Sequence, residues 1–374
     1  MLDVVLDMTP VAHSRGGVGK YLVLLASSLH RIARDEGLRF RTLDIPAARP
    51  GTQPLPAEPD LTLANPLYLG IPLLRRLPIK HERELRSRGR RLAALLGKKG
   101  IFHHSGVQPV CPLGWTSVLT MFDLSAIRHK EWHTPETVTY GAREKQLTEE
   151  GSRLLAISRW AADEAESFFS LESGTVGIAG GAADPIFQPG EPDPRFLAEN
   201  GLERERFVLH VGSFVPRKNI PFLLDVYSAC VDDGFDYPLV MVGAEEWGEL
   251  DIDTDLPWLR TFSGISDDLL LSLYRGARAV LLPSRYEGLG FPALEAMACG
   301  RPLLCSNAAA LPETVGNGGL LLDPDDACAW RRAISLLDDA EHLSILRKMS
   351  TGVHRRTWEE VASNAAAFYR SISE

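Results

Sequence analysis

Two carboxylates, Glu287 and Glu295, have seven residues between them and bracket a turn, Gly288-Leu-Gly-Phe-Pro292. An apolar run at residues 277–282 ends at Pro283-Ser284 before the turn, and Pro292 stands where a helix would begin. Proline is tolerated in a first helical turn, where its missing N–H is not needed. Gly300 then suits a left-handed cap, and Pro302 forbids continuation. The pattern predicts strand, loop and helix, with the loop at the carboxyl end of a parallel strand and a helix N-terminus aimed across it. A carboxylate one turn inside such a helix, Glu295, can accept two hydrogen bonds from a cis-diol such as a ribose. The amides of Leu289, Gly290 and Phe291 can face a diphosphate. The plainer alternative is that Glu295 offsets the helix dipole and Glu287 is solvated.

A second cluster lies upstream in Phe207-Val-Leu-His-Val-Gly-Ser-Phe-Val-Pro-Arg-Lys-Asn-Ile-Pro221. It also reads as strand, turn and helix, with Asn219 as N-cap. Arg217 and Lys218 at the mouth of that helix are placed to neutralise a diphosphate leaving group. Basic turn residues also occur for solubility alone.

The unit Glu287-Gly-Leu-Gly-Phe-Pro-Ala-Leu-Glu295-Ala-Met-Ala-Cys-Gly300 resembles the E-x7-E region of family-4 retaining glycosyltransferases, in their mannosyltransferase-like branch. The resemblance implies an α/β chain of the GT-B fold, two doubly wound Rossmann-like domains facing across a cleft. It assigns donor-sugar contact to Glu287 and ribose binding to Glu295, and places Gly288, Leu289, Gly290 and Phe291 at the donor. Gly212, Ser213, Gly264 and Ile265 join the donor site by the same likeness; Ser213 stands where many members have Arg. Gly16, Gly17 and Gly19 are similar to the family's N-terminal Gly-Gly-x-Gly loop, which faces the acceptor and the donor phosphate. That stretch is not a P-loop: Lys20 is followed by Tyr21, and Ser14 stands where the first glycine is needed.

The N-terminal half carries further candidates. Residues 116–122 form a strand ending in Asp123, and Thr120-Met-Phe-Asp-Leu resembles the family's strand-end His-Asp-Leu with Phe122 in the His position. Asp123 is retained as a catalytic candidate. In family members the imidazole lies beside the donor sugar's primary hydroxyl. Phe122 therefore implies a preference for a 6-deoxyhexose donor, while replacement of the imidazole by His13, His103 or water would leave mannose in use. His103 and His104 are adjacent on a strand and point to opposite faces, so they cannot chelate one metal. One is expected at the cleft rim and one packed.

The 374 residues suggest two domains, and a formal net charge of −9 argues against nucleic acid as partner. No apolar stretch approaches the ~20 residues of a membrane span, and acids near the start are unlike a signal peptide. Five cysteines without a CxxC pair fit a reducing cytoplasm and form no zinc pattern. Residues 71–100 hold ten Lys or Arg, from Arg75 to Lys99, against Glu82 and Glu84. Such a run is either a solvated face or a dock for an anionic membrane or a phosphorylated lipid acceptor.

The expected divisions are residues 1–188, an acceptor-binding domain, residues 189–355, a nucleotide-sugar-binding domain, and residues 356–374, a helix returning to the first. The expected reaction is retaining transfer of a hexosyl unit, mannose or a 6-deoxyhexose such as rhamnose, to a glycan or lipid-linked acceptor. The co-substrate is a GDP-, UDP- or dTDP-linked sugar, with no metal and no other cofactor, on the cytoplasmic side of the cell membrane. A nucleotide-sugar epimerase and a non-catalytic nucleotide-sugar-binding subunit are the rival readings.

Overall fold

The computed structural model describes residues 1–8, 11, 16–44, 61–62, 82–97, 99–106, 111–243 and 255–373. The chain divides into two compact units. The first comprises Met1–Arg128, Pro135–Gly181 and Thr357–Glu374, and the second His129–Thr134 and Ala182–Arg356.

The first unit holds a parallel seven-stranded sheet. Its strands are β1 (Leu2–Asp7), β2 (Leu38–Asp44), β3 (Leu61–Thr62), β4 (Ile101–His104), β5 (Thr116–Met121), β6 (Arg153–Ala156) and β7 (Gly177–Ile178). Their order is β3-β2-β1-β4-β5-β6-β7, which is doubly wound with its switch between β1 and β4. Helices such as Gly17–Ile32 and Arg159–Phe169 bury Leu22, Leu25, Ala161 and Ala165 completely. Gly16 is the N-cap of the first of these, so the helix begins inside the Gly-Gly-x-Gly stretch. The capping box of Thr357 and Glu360 starts the last helix, Trp358–Ser371. That helix is fastened by a 3.2 Å bond from Asn364 Nδ2 to the Ala179 carbonyl and by Trp358 edge-on to Tyr21 at 5.4 Å. Gly177 is required beneath it, because a Cβ there would stand 2.3 Å from Phe368.

The second unit holds a parallel six-stranded sheet of β8 (Val208–Val211), β9 (Leu239–Val242), β10 (Leu259–Phe262), β11 (Ala279–Leu282), β12 (Leu303–Ser306) and β13 (Leu320–Leu322). The order is β10-β9-β8-β11-β12-β13. Strands β8, β9, β11 and β12 are buried along their whole length, as a parallel sheet covered on both faces demands. The switch falls between β8 and β11, and ligands in such sheets bind beyond the carboxyl ends of the strands there. Gly212 to Lys218 follow β8, and Pro283 to Glu287 follow β11. The sheet therefore brings both sequence clusters to one place.

Candidate active site

Glu287 and the two cations converge in the second unit. Lys218 Nζ donates to Glu287 Oε1 at 2.5 Å, and Arg217 Nη1 donates to Oε2 at 3.0 Å and to the Tyr286 carbonyl at 3.1 Å. Glu287 is 7% exposed and Lys218 5%, so neither is a solvated surface charge. Burial pushes the Glu287 carboxyl up, but the attraction of Lys218 and then Arg217 outweighs it and holds the group at about 2. The trio keeps one net positive charge, which a diphosphate can engage.

The loop main chain is held from outside. The Arg285 N–H donates to the Arg217 carbonyl at 2.8 Å, the Ala310 N–H to the Glu287 carbonyl at 3.2 Å, and Thr314 Oγ1 to the Leu289 carbonyl at 2.5 Å. Gly290 is the N-cap of the helix Phe291–Ala298 with φ +92°, and an added Cβ would meet Leu311 Cδ2 at 2.5 Å. Only glycine fits there. Because the cap is glycine, no capping side chain occupies the helix N-terminus, and the amide end that anions favour is left to main chain. At the other end Gly300, φ +68°, closes the helix: its N–H reaches the Met297 carbonyl at 2.9 Å, and the Arg301 N–H the Ala296 carbonyl at 2.9 Å.

Glu295 lies in that helix, 8% exposed, and its Oε2 accepts from the Tyr274 hydroxyl at 2.7 Å. Tyr274 sits on the helix Asp267–Gly276 and is fully buried. It was not a sequence candidate, since nothing in the spacing of residues 274 and 295 announces their contact. His210, on β8, was missed for the same reason. Its Nδ1–H donates to the Leu281 carbonyl at 2.9 Å, leaving Nε2 bare in the core. Burial, with Lys218 adding to it, lowers its pKa to about 4, so the ring is neutral.

The remaining candidates are placed as follows. Gly212 has φ +152°, and a Cβ there would crowd Lys218 Cε at 3.1 Å. Ser213 follows it, half-buried. Gly264 has φ +64° and is exposed, while Ile265 packs against the core. Asn219 is the N-cap of the helix Ile220–Asp232, as its type suggested, but its side chain makes no capping bond. Its Nδ2 donates instead to the Pro324 carbonyl at 2.9 Å.

In the first unit, Gly17 and Gly19 open the helix that Gly16 caps. Phe122 is half-buried and meets Tyr21 edge-on at 5.4 Å. Asp123 Oδ1 accepts from the Ser125 N–H at 2.8 Å and the Ser125 hydroxyl at 2.6 Å, starting the short helix Ser125–Arg128. His103 is a correction. Expected in the sugar pocket, it is fully buried, with Nδ1 2.6 Å from the Tyr369 hydroxyl and Nε2 2.7 Å from Thr120 Oγ1. His104 is buried too, against Ser117, so neither histidine stands at a rim. His13 lies outside the described residues. Among those residues no cluster of three His, Cys, Asp or Glu could hold a metal ion, and no helix is long and apolar enough to cross a membrane.

Paired cations, a glycine-capped helix start and two bracketing glutamates thus meet beyond the carboxyl ends of β8 and β11. Residues 205–339 match the family described as Glycosyl transferases group 1, and the chain is a member of that family. An O-antigen chain mannosyltransferase B of Escherichia coli is 30% identical over 270 residues, 68% of this chain and 70% of that one. An MMP α-(1→4)-mannosyltransferase of Mycolicibacterium hassiacum is 30% identical over 242 residues, 60% of this chain but only 56% of its own length. A sucrose-phosphate synthase structure from Thermosynechococcus elongatus aligns with a TM-score of 0.71 at 19% identity, over 100% of this chain and 99% of that one. The fold is GT-B.

Proposed function

We propose that the chain is a retaining, metal-independent hexosyltransferase that uses a nucleoside diphosphate sugar and a glycan or lipid-linked acceptor in the synthesis of a cell-surface polysaccharide. The observation that carries this reading is the buried group of Glu287 with Arg217 and Lys218 beside the glycine-capped helix that bears Glu295. In this scheme the acceptor hydroxyl attacks the anomeric carbon on the face the diphosphate leaves, and its proton passes to the departing phosphate oxygen. Arg217 and Lys218 stabilise the charge that develops on the leaving group, which is where preorganised cations lower a barrier most. Glu287 orients the sugar and Glu295 the ribose.

Mannose is the donor hexose favoured by the named relatives, both mannosyltransferases; the ring of Phe122 favours a 6-deoxyhexose instead. The enzyme is proposed to work at the cytoplasmic face of the membrane, on a substrate of the O-antigen kind.

A thermal-shift panel of GDP, UDP, dTDP and their hexoses identifies the donor, since a ligand that binds only the folded state raises its melting temperature. The matching donor is then expected to give a product whose anomeric configuration, read by NMR, equals that of the donor, with turnover unaffected by a chelator. An inverted product removes the retaining mechanism. Loss of activity to the chelator, restored by a divalent ion, removes metal independence. Release of an epimerised sugar, or nucleotide binding with no turnover, would instead select one of the rival readings.

A further inference from the structure

The segment 129–134 belongs to the second unit although residues on both sides of it belong to the first. Aromatic contact joins it to that unit. The rings of His129 and Trp132 are stacked, 3.9 Å apart and 10° from parallel, and both stand edge-on to Tyr286, at 5.6 and 6.1 Å. Tyr286 is itself buried and immediately precedes Glu287. Tyr227, Tyr274 and Trp330 of this unit are fully buried, whereas His129 and Trp132 keep part of their surface in contact with solvent. Lys130 and Glu131 at their edge are exposed.

A partly exposed aromatic stack with charged groups at its rim has the chemistry of a pyranose site. The apolar C–H face of a sugar covers the ring while its hydroxyls reach the rim groups. We propose that His129 and Trp132 form a shelf for a hexopyranose of the acceptor, propped by Tyr286 next to the carboxylate assigned to the donor sugar. The acceptor is favoured over the donor because the nucleotide end of the site, Glu295 with Tyr274, lies on the far side of the turn from Tyr286 in the chain. This inference rests on the proposed transferase reading.

The test uses the full chain, loaded with GDP, UDP or dTDP according to which binds, and methyl α-mannopyranoside and methyl α-rhamnopyranoside as probes. Saturation-transfer NMR is expected to show contact with the ring protons of at least one glycoside in the wild type. Trp132→Ala should weaken glycoside binding by about threefold to tenfold, the range for loss of a stacked ring, while Trp132→Phe keeps most of it. Calorimetric affinity for the nucleotide should be the same in all three proteins. Unchanged glycoside contact in Trp132→Ala, or no contact with either glycoside in the wild type, overturns the shelf. If Trp132→Ala weakens the nucleotide sugar but not the free nucleotide, the ring holds the donor hexose and the acceptor assignment falls. Failure of GDP, UDP and dTDP alike to bind the wild type speaks against the transferase reading itself, so the two failures are distinguishable. A melting temperature equal to wild type in both variants excludes misfolding as the cause.

Discussion

Lys218 Nζ lies 2.5 Å from Glu287 Oε1, with both groups almost wholly shielded from water. Removing one member of such a pair strands the other, which costs about 3–5 kcal/mol. Glu287→Ala is therefore expected to lower unfolding free energy by roughly that amount in denaturant titration. Glu287→Gln keeps an acceptor for Lys218 and should fold, while removing the charge proposed to orient the sugar. Its turnover should fall far more than its nucleotide affinity. Equal losses in both would show that Glu287 serves the nucleotide and not the sugar.

The Tyr274 hydroxyl fixes one oxygen of Glu295 at 2.7 Å. Glu295→Ala should weaken nucleoside diphosphate binding by roughly 1–3 kcal/mol, the value of a charged acceptor lost. Tyr274→Phe keeps the carboxylate but loosens it, and about 0.5–1.5 kcal/mol is expected from one hydrogen bond. Calorimetry checks both. Unchanged affinity in Glu295→Ala would end its assignment to the ribose.

Buried histidines give the protein an acid limit. Burial lowers His103 to about 3 and His104 and His210 to about 4, from 6.5. Below pH 6.5 the unfolded chain takes up protons that the folded chain refuses, so stability declines as pH falls toward these values. Each histidine contributes a slope of about 1.4 kcal/mol per pH unit. Glu144 opposes this in the first unit: burial first, and then Asp123, raise it to about 8, so its contribution declines as pH rises from 4.5. Glu287, depressed to about 2, acts only between 4.5 and that value. Denaturant midpoints should drop steadily from about pH 6.5 to pH 4.5. In Glu144→Gln the protein should be more stable than wild type near neutrality; a lower midpoint there would contradict the assigned shift.

Much of this site was legible because local chemistry dictated it. Pro292 and Gly300 mark the two ends of one helix whatever surrounds it, and Glu287 and Glu295 inherit their places from those marks. The cations Arg217 and Lys218 could be joined to Glu287 because the winding of a parallel sheet brings β8 and β11 together. The contacts of Tyr274 with Glu295, and of Trp132 with Tyr286, depend on how helices and loops pack over that sheet, and no spacing encodes them. His103 went wrong for a related reason. A strand-end histidine looks alike in sequence at a rim or in a core, and the Tyr369 hydroxyl that claims it comes from the far end of the chain.

The basic stretch can be judged from its described part. The helix Glu82–Leu96 buries Leu92 and Leu96 with Val5, Phe102 and Trp115, and exposes Arg90, Arg91 and Leu95. Leu95 is 53% and Leu113 55% exposed, and the Leu113 N–H is bonded to the Gly89 carbonyl on that helix. Arg75, Arg76 and Lys80 lie outside the described residues. Basic groups beside bare leucines are suited to an anionic lipid surface. Co-sedimentation with liposomes should require anionic lipid, weaken as salt shortens the Debye length, and fall in a variant combining Arg90→Glu and Arg91→Glu. Equal recovery with neutral and anionic vesicles, or none with either, would return the segment to a solvated face.

The proposed preference for a 6-deoxyhexose turns on Phe122. The buried His103 cannot stand in for the imidazole that the family places at the position of Phe122, since both its nitrogens face Tyr369 and Thr120. The Phe122 ring, edge-on to Tyr21, offers no hydrogen bond. A primary hydroxyl pressed against it would lose a partner, at about 1–3 kcal/mol, whereas a methyl group in the same place gains roughly 0.8 kcal/mol. The wild type is accordingly expected to show a higher kcat/KM for a 6-deoxyhexose donor than for its 6-hydroxy parent, with Phe122→His narrowing or reversing the ratio. The named relatives are mannosyltransferases, which makes the opposite outcome informative. A wild type that prefers the 6-hydroxy donor, with no shift when His is restored, would show that Phe122 does not read the sugar and that mannose is the transferred unit.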